Sequence, residues 1–331
     1  MYTEYYQLKE EPFRLTPDPR FVHMAEPHRA ALNALLNGVT LRKGFAVVTG
    51  PVGCGKTTIL HTLLELLAQG RLTKSDCSTA LIVNPTLSRE EFFEVLLDEF
   101  EITCNSTSKT HRLLALEKMF RAVDARGGTC ILLIDEAHLL SLELLEEIRL
   151  LSNVDTHTGK LLQVILSGQV ELFPLLDRPE ARALKQRIAT RCQIRPLNLT
   201  ESRVYIAERF RAAGLVGPGP FSDMAIELVH SYSQGVPRLI NLVCDSCLMI
   251  GFQTQHRGID PEIVHEAALG LDLTEVPVEV PVEVMSDRIS SAPAQALEPA
   301  KAPATTLDNL IGAMKQRLVE GTLQRRVAVR K

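Results

Sequence analysis

The chain has 331 residues, of which 45% are hydrophobic and 23% charged, with a formal net charge of −4. These values are typical of a soluble globular protein with one large domain or two, and they give no global reason to expect nucleic acid as the main partner. No run of about 18 or more apolar residues predicts a membrane span, no signal peptide is evident, and seven scattered cysteines favour reduced thiols in the cytosol.

The first 43 residues are predicted to form a proline-punctuated arm followed by a helix near 27–39. From residue 44 onward, short apolar strands alternate with helices. The strands are predicted at 45–50, 79–84, 130–136, 161–168 and 192–197, and the helices at 56–69, 89–101, 110–126 and 141–152. Buried strands that alternate with helices indicate a parallel sheet covered on both faces, so residues 44–197 are predicted to form an α/β domain.

After residue 197 the strand pattern ends, and a small all-helical domain is predicted over 198–272. Its helices are predicted near 200–213, 222–232, 237–254 and 260–270, and Cys244 and Cys247 within them are predicted to pack in the core. Residues 273–306, rich in Pro, Ala, Val and Glu, predict a disordered, extended linker. The basic segment 307–331 has apolar residues at helical spacing, which fits either a helix that docks on a partner or an anionic membrane, or a solvated tail.

The stretch "GPVGCGKTT" matches the phosphate-loop pattern G-x-x-x-x-G-K-[ST] and lies between a predicted strand and a predicted helix. Glycines allow backbone N–H groups to turn toward phosphate oxygens, and the start of a helix favours negative charge. Lys56 is expected to reach the β- and γ-phosphates. The residues predicted to bind nucleotide are Gly50, Pro51, Val52, Gly53, Cys54, Gly55, Lys56, Thr57 and Thr58.

The stretch "CILLIDEAH" predicts the second half of the site. A buried strand that ends in Asp135 presents a carboxylate, which together with the Thr57 hydroxyl is expected to hold Mg²⁺. Glu136 is predicted to activate a water molecule, which indicates hydrolysis. The intervening strand at 79–84 fits the additional-strand class of P-loop ATPases. "DEAH" also occurs in superfamily-2 helicases, but those need a second sheet domain and only one strand-rich block is present here.

With these motifs in place, residues 1–270 resemble an AAA+ ATPase of the ExeA/GspA family of bacterial type II secretion, with relatives associated with MSHA pili and exosortases. The arm "YYQLKEEPFRLTPDPRFVHM" and the block "EEIRLLSN…LLQVILSGQ" carry the family-level similarity, and the match also includes "QGVPRLINLVCDSCL". The resemblance implies a P-loop AAA+ αβα domain followed by a helical lid. It also implies ATP and Mg²⁺ as ligands, and self-association into a ring or filament.

The resemblance further implies roles for polar residues outside the two motifs. Ser167 or Gln169, at the polar end of the fourth strand, looks like sensor 1, which helps to position the attacking water. Arg187 looks like the arginine finger that reaches a neighbouring subunit, with Arg191 as the second choice. Arg238, in "GVPR", resembles sensor 2. The predicted catalytic residues are therefore Lys56, Glu136, Ser167, Gln169 and Arg187.

These features predict an ATPase that drives assembly or remodelling of an envelope-associated secretion, pilus or exopolysaccharide system together with partner proteins. ExeA-like proteins often continue into a membrane helix and a peptidoglycan-binding domain. Here only the linker and the basic tail follow residue 270, so a cytoplasmic protein, with peripheral inner-membrane contact through 307–331, is expected. Two alternatives are a DNA-binding AAA+ protein of initiator or transposition-regulator type, for which no helix-turn-helix or aromatic-basic pattern is found, and a nucleotide-gated scaffold, against which Glu136 argues.

Overall fold

The computed structural model describes residues 2–15, 21, 23–68, 77–156, 159–275 and 311–312. A five-stranded parallel sheet and a small antiparallel hairpin lie within this part of the chain. In chain order the strands are β1 (Phe45–Thr49), β2 (Cys77–Ile82), β3 (Thr129–Ile134), β4 (Asp155–Thr156), β5 (Gly159–Lys160), β6 (Leu162–Gly168) and β7 (Ile188–Gln193). The order across the sheet is β2-β3-β6-β1-β7, and β4 pairs with β5 in the hairpin.

The helices alternate with these strands up to β7 and then follow one another directly. In chain order they are α1 (Tyr2–Tyr5), α2 (Glu26–Thr40), α3 (Lys56–Ala68), α4 (Arg89–Glu99), α5 (Lys109–Ala125), α6 (Leu142–Leu151), α7 (Leu172–Leu176), α8 (Arg182–Lys185), α9 (Leu199–Ala212), α10 (Asp223–Ser233), α11 (Pro237–Gln253) and α12 (Pro261–Gly270). This succession confirms the predicted α/β domain followed by an all-helical part, here called the helical bundle (α9–α12).

Both faces of the sheet are buried, as the apolar strands predict. Along β3, Cys130, Leu132 and Ile134 join the apolar cluster that includes α4, α5 and α6. Ile131 and Leu133 alternate with them and join the cluster that includes α2 and α3. Because successive side chains of a strand point to opposite faces, the continuous apolar run fills two helical layers at once.

The last strand of the sheet begins earlier than predicted. The prediction over 192–197 was wrong in its bounds, since β7 covers Ile188–Gln193 and, among the described strands, pairs only with β1. An edge strand buries fewer of its side chains, and β7 alternates between half-buried and exposed residues. Ile194 and Leu197, which suggested the later strand, are buried in the segment that leads to the helical bundle.

The strand inserted between β1 and β3 is β6, which comes third after β1 among the strands of this sheet. The strand predicted at 79–84 corresponds to β2, which lies outside β3 at the edge of the sheet. The sheet therefore has the additional strand expected of this class of P-loop protein, and that inserted strand is β6 rather than β2. The position of β6 depends on its pairing with both β1 and β3, which chain order alone does not reveal.

The N-terminal arm, defined here as residues 2–15, 21 and 23–25, packs on the helical bundle. The Tyr2 hydroxyl donates to Asp245 Oδ1 on α11 at 2.5 Å. Its apolar side chains share one buried cluster with α9–α12, and they are Tyr2, Tyr6, Leu8, Phe13, Phe21 and Ala25. The predicted unit 1–43 therefore has two packing partners, because its arm contacts the bundle and its helix α2 contacts the sheet.

Gly251 gives a test of this arm–bundle contact. A Cβ atom added there would lie 2.3 Å from the Tyr6 hydroxyl oxygen and 2.8 Å from Ile259 Cδ1. We expect Gly251→Ala to lower stability by about 1–3 kcal/mol through overpacking, although alanine favours a helix interior by about 1 kcal/mol. Thermal unfolding measures the loss. Gly258→Ala, where no atom lies within 4 Å, is the control, and equal melting temperatures for the two variants would contradict this packing.

The C-terminal predictions fall largely outside the described residues. Of the linker 273–306 only 273–275 are described, and of the tail 307–331 only 311–312. Ile311 is 6% exposed and belongs to the apolar cluster of α2, α3 and the adjoining face of the sheet. Over the described ranges, none of the helices combines the length and apolar character that crossing a membrane requires.

Candidate nucleotide site

The phosphate loop forms the turn between β1 and α3. Gly53 and Gly55 have φ angles of +81° and +85°, in the region that glycine adopts most readily. At Gly53 a side chain is also excluded by space, because a Cβ atom would lie 2.7 Å from Cβ of Arg238. The loop therefore exposes its backbone at the start of α3, which is the geometry that binds phosphate.

Lys56 is only 6% exposed, and its ammonium group sits inside the loop. Its Nζ donates to the carbonyl oxygens of Gly50 and Pro51, both at 2.9 Å. Cys54 directs its side chain into the core instead, where it is 1% exposed. The predicted loop residues that line the pocket beside it are Val52, Gly53, Gly55, Lys56, Thr57 and Thr58.

The Asp135 carboxylate accepts hydrogen bonds from three different parts of the fold. Its Oδ2 accepts the Thr57 hydroxyl at 2.6 Å, and its Oδ1 accepts the Ser167 hydroxyl at 2.8 Å and the Glu136 amide at 3.0 Å. The carboxylate is buried, and its residue is 2% exposed. The Thr57 hydroxyl and the Asp135 carboxylate are thus adjacent oxygen donors, which is the kind of ligand that Mg²⁺ binds in phosphate sites.

Glu136 has an uncommon backbone conformation. Its φ of 49° and ψ of 35° lie in the left-handed region, which costs energy for a residue other than glycine. Its amide donates to Asp135, and its carbonyl accepts the Leu139 amide at 2.9 Å. The turn directs the Glu136 side chain, 38% exposed, toward the same pocket as Lys56. Backbone strain in a residue other than glycine is typical of functional sites, where it positions a side chain for reaction.

The two sensor 1 candidates contact different groups, a carboxylate for Ser167 and an imidazole for Gln169. Ser167 contacts Asp135 directly, whereas Gln169 Nε2 lies 3.2 Å from His138 Nε2, and His138 Nδ1 lies 3.4 Å from Glu136 Oε2. The Gln169 backbone amide also donates to His138 Nδ1 at 3.4 Å, so the His138 ring lies between the end of β6 and Glu136. The sequence analysis treated His138 only as part of a motif.

Arg238 lies next to the phosphate loop. Its backbone amide donates to the Gly53 carbonyl at 3.3 Å, and its side chain lines the pocket. Gly235 makes this approach possible, because its φ is +70° and a Cβ atom there would lie 1.9 Å from the Leu197 carbonyl oxygen. Pro237 then begins α11. Among the described residues the Arg238 guanidinium has no hydrogen-bond or ion-pair partner, so it can bind an anion.

The pocket itself has a volume of about 620 Å³ and lies between the sheet, the helical bundle and the N-terminal arm. Its lining also includes arm and bundle side chains, which are Phe21, His23, Met24, Tyr205, Arg209 and Asn241. Arg209 donates to the Arg14 carbonyl at 2.9 Å, and its guanidinium lies 4.9 Å from the Phe21 ring centre. Sequence reasoning missed this wall, because no local motif joins an arm residue to a bundle residue.

His28, on α2, contacts the backbone of the phosphate loop. Its Nε2–H donates to the Cys54 carbonyl at 2.9 Å, and the residue is 6% exposed. Burial lowers the pKa of His28, so its imidazole is the neutral form that donates from Nε2. The sequence offered no signal for this contact, since a single histidine on a helix is common.

The two finger candidates lie away from the pocket of their own chain. Arg187 directly precedes β7, and its guanidinium donates to the Arg149 carbonyl and the Ser152 hydroxyl, both at 3.3 Å, at the end of α6. Arg191 is exposed on β7, with one contact of 3.5 Å to the Lys185 carbonyl. Neither side chain lines the pocket that contains Lys56.

Comparisons with known proteins agree with this fold. A family model described as an AAA domain matches residues 39–176. The chain is 37% identical over 253 residues to General secretion pathway protein A of Aeromonas hydrophila. That match covers 76% of this chain and 45% of the relative, so the chain spans less than half of the relative's length.

Solved structures show the same fold at low sequence identity. The ORC2 protein of Aeropyrum pernix, solved as ADPNP-ADP complexes, has a TM-score of 0.57 at 14% identity, with 81% of this chain and 73% of that chain covered. The Drosophila ORC bound to DNA has a TM-score of 0.60 at 19% identity, with 83% and 67% covered. At these identities the similarity concerns the fold alone.

Proposed function

Because this chain belongs to the AAA+ ATPases of the ExeA/GspA type, we propose that it binds ATP beside Lys56 and hydrolyses it to ADP and phosphate. The observation that carries the proposal is the arrangement around Asp135. One buried carboxylate there joins the phosphate-loop helix through Thr57, the strand end through Ser167, and the strained turn that presents Glu136. A phosphate loop, paired oxygen donors and a carboxylate facing the same pocket supply the requirements of hydrolysis.

Each residue then has a role that matches its position. Lys56 and the loop amides bind the β- and γ-phosphates, and Arg238 binds them from the side of the helical bundle. Glu136 accepts a proton from the attacking water, while Ser167 or Gln169 orients that water or the carboxylate. Thr57 and Asp135 hold Mg²⁺, which neutralises phosphate charge.

We further propose that hydrolysis takes place between subunits of a homo-oligomeric ring or filament. Arg187 and Arg191 lie outside the pocket of their own chain, which suits an arginine that acts on a neighbouring subunit's γ-phosphate. ATP binding would then favour assembly, and hydrolysis would favour release. Arg238 would couple the two states, because it joins the helical bundle to the phosphate loop.

The client is proposed from the relative's name. Identity to General secretion pathway protein A supports a role in a bacterial envelope-associated system of secretion, pilus or exopolysaccharide type, acting with partner proteins at the cytoplasmic side of the membrane. Similarity to ORC structures concerns the fold, so it brings no DNA-binding role with it. Duplex DNA binding that depends on ATP and weakens steeply with salt would instead support the initiator-like alternative.

Arg238→Ala tests the coupling. We expect the ATPase activity of the wild type per subunit to rise steeply with protein concentration. The variant is expected to bind ATP with a dissociation constant within about tenfold of that of the wild type, but to lose ATP-driven assembly. Sedimentation velocity with ATP and Mg²⁺, alongside phosphate release, measures both. Arg211→Ala, at an exposed bundle arginine outside the pocket, is the control. Full turnover by a dilute monomer would overturn the proposed assembly, and wild-type assembly by Arg238→Ala would overturn the coupling role.

A further inference from the structure

Asn241 is a buried polar residue in the pocket that the mechanism above does not use. It follows Arg238 by three positions on α11, so both side chains lie on the same face of the helix. Asn241 is 7% exposed and lines the same pocket as Lys56 and Arg238. The helix that presents an arginine to the phosphate loop therefore also presents an amide to the pocket.

Tyr205 fixes the orientation of that amide. Its hydroxyl donates to Asn241 Oδ1 at 3.0 Å. Burial raises the pKa of Tyr205, so the hydroxyl keeps its proton and remains a donor. With the oxygen engaged, the amide nitrogen of Asn241 is turned the other way, and it has no hydrogen-bond partner among the residues that the structure describes. The amide nitrogen is therefore a donor that a ligand in the pocket can use.

The surroundings of Asn241 suit a flat aromatic ligand. Phe21 lies under the Arg209 guanidinium, and the His23 and Tyr205 rings are 6.2 Å apart at their centres. The phosphate loop fixes the polyphosphate of a nucleotide at Lys56 and Thr57, so the nucleoside must occupy the remaining part of the pocket. The aromatic and amide side chains of the arm and the bundle are among the residues that line the pocket outside the phosphate loop.

We propose that Asn241 donates a hydrogen bond from its amide nitrogen to a ring nitrogen of the adenine base, and that Tyr205 is the positioning residue that keeps the amide in this orientation. The inference rests on the proposed binding of ATP and names the contact that recognises its base. An amide donor matches the acceptor nitrogens of adenine, and Phe21 and Tyr205 line the same pocket as this amide.

Asn241→Asp is the decisive variant. Aspartate keeps the shape and an oxygen for the Tyr205 hydroxyl but removes the NH₂ donor. Because the new charge weakens binding of any polyphosphate, the readout is the ratio of ATP affinity to inorganic tripolyphosphate affinity, measured by competition against a fluorescent nucleotide. We expect this ratio to fall about tenfold or more in Asn241→Asp and in the uncharged Asn241→Leu, and to a smaller extent in Tyr205→Phe. Melting temperatures without nucleotide check folding.

Atom-replaced nucleotides identify the acceptor. Wild type is expected to bind one of 1-deaza-, 3-deaza- and 7-deaza-ATP about tenfold more weakly than ATP, while Asn241→Leu binds that analogue and ATP equally. A loss confined to 2′-deoxy-ATP would assign the amide to the ribose and overturn the contact with the base. An unchanged affinity ratio in Asn241→Asp and Asn241→Leu would overturn the inference and leave ATP binding intact. A wild type that binds neither ATP nor tripolyphosphate would overturn the proposed function as well.

Discussion

Glu136→Gln is expected to lower the turnover number for ATP by about 10²–10⁴-fold while leaving the dissociation constant for ATP nearly unchanged. The amide has the size of the carboxylate but cannot accept the proton of the attacking water. The strained turn is held by hydrogen bonds from the Glu136 amide to Asp135 Oδ1 and from the Leu139 amide to the Glu136 carbonyl, which this substitution does not touch. Phosphate release at saturating ATP and equilibrium binding of a fluorescent ATP analogue separate turnover from affinity.

Glu65 supplies the comparison for this experiment. It is the other glutamate that lines the pocket, it lies on α3, and burial raises its pKa. Glu65→Gln removes a carboxylate from the same pocket without removing the group that the strained turn presents, so we expect a much smaller loss of turnover. If Glu65→Gln abolished turnover and Glu136→Gln retained it, Glu136 would not be the base.

Arg187→Ala is expected to lower ATPase activity by about 10³–10⁵-fold under conditions where the wild type assembles, with ATP binding retained. An arginine finger stabilises charge that develops on the γ-phosphate only during reaction, so its loss affects turnover more than affinity. In the described chain Arg187 holds the end of α6 through Arg149 and Ser152, and it must exchange these contacts for phosphate when subunits meet. Phosphate release as a function of protein concentration measures the effect.

Mixing two inactive variants shows whether Arg187 acts on a neighbour. Glu136→Gln retains the arginine, and Arg187→Ala retains an intact pocket. In a mixed assembly, Arg187 of a Glu136→Gln subunit can reach the intact pocket of a neighbouring Arg187→Ala subunit. ATPase activity should therefore reappear on mixing. Arg191→Ala is the matched control, because its side chain is exposed and makes one contact of 3.5 Å. Arg187 would not be the finger if mixing restored no ATPase activity. The same would follow if Arg191→Ala lost activity while Arg187→Ala retained it.

The sequence was sufficient to predict those features that depend on residues adjacent in the chain. The phosphate loop requires glycine at Gly53 and Gly55 for backbone reasons, and the apolar run before Asp135 predicts a buried strand wherever that strand lies in the sheet. The α/β fold class predicted from these motifs, and the family predicted from the arm and the block "EEIRLLSN…LLQVILSGQ", are confirmed. The roles of Ser167, Gln169, Arg187 and Arg238 remain predictions that their positions in the structure make testable.

Contacts between distant segments could not be predicted in the same way. Tyr2 and Asp245 are 243 positions apart, and Tyr205 and Asn241 are 36 apart, so no local periodicity relates them. The edge strand β7 was misplaced, because alternate exposure gives a weaker apolar signal than the central strands do. The position of β6 between β1 and β3 depends on pairing on both of its edges, a property of the assembled sheet.

Within the described ranges up to residue 275, the chain changes between the apolar cluster of the sheet and that of the helical bundle near Met24 and again over 194–197. Met24 belongs to the cluster of the sheet and Ala25 to that of the bundle, and the same division separates Ile194 from Leu197. Phe21 belongs to the apolar cluster of the bundle, and Arg238 and Asn241 lie on α11 within that bundle. These three residues therefore belong to one packed unit, so a displacement of this unit relative to the sheet would change the proposed contacts with base and phosphate together.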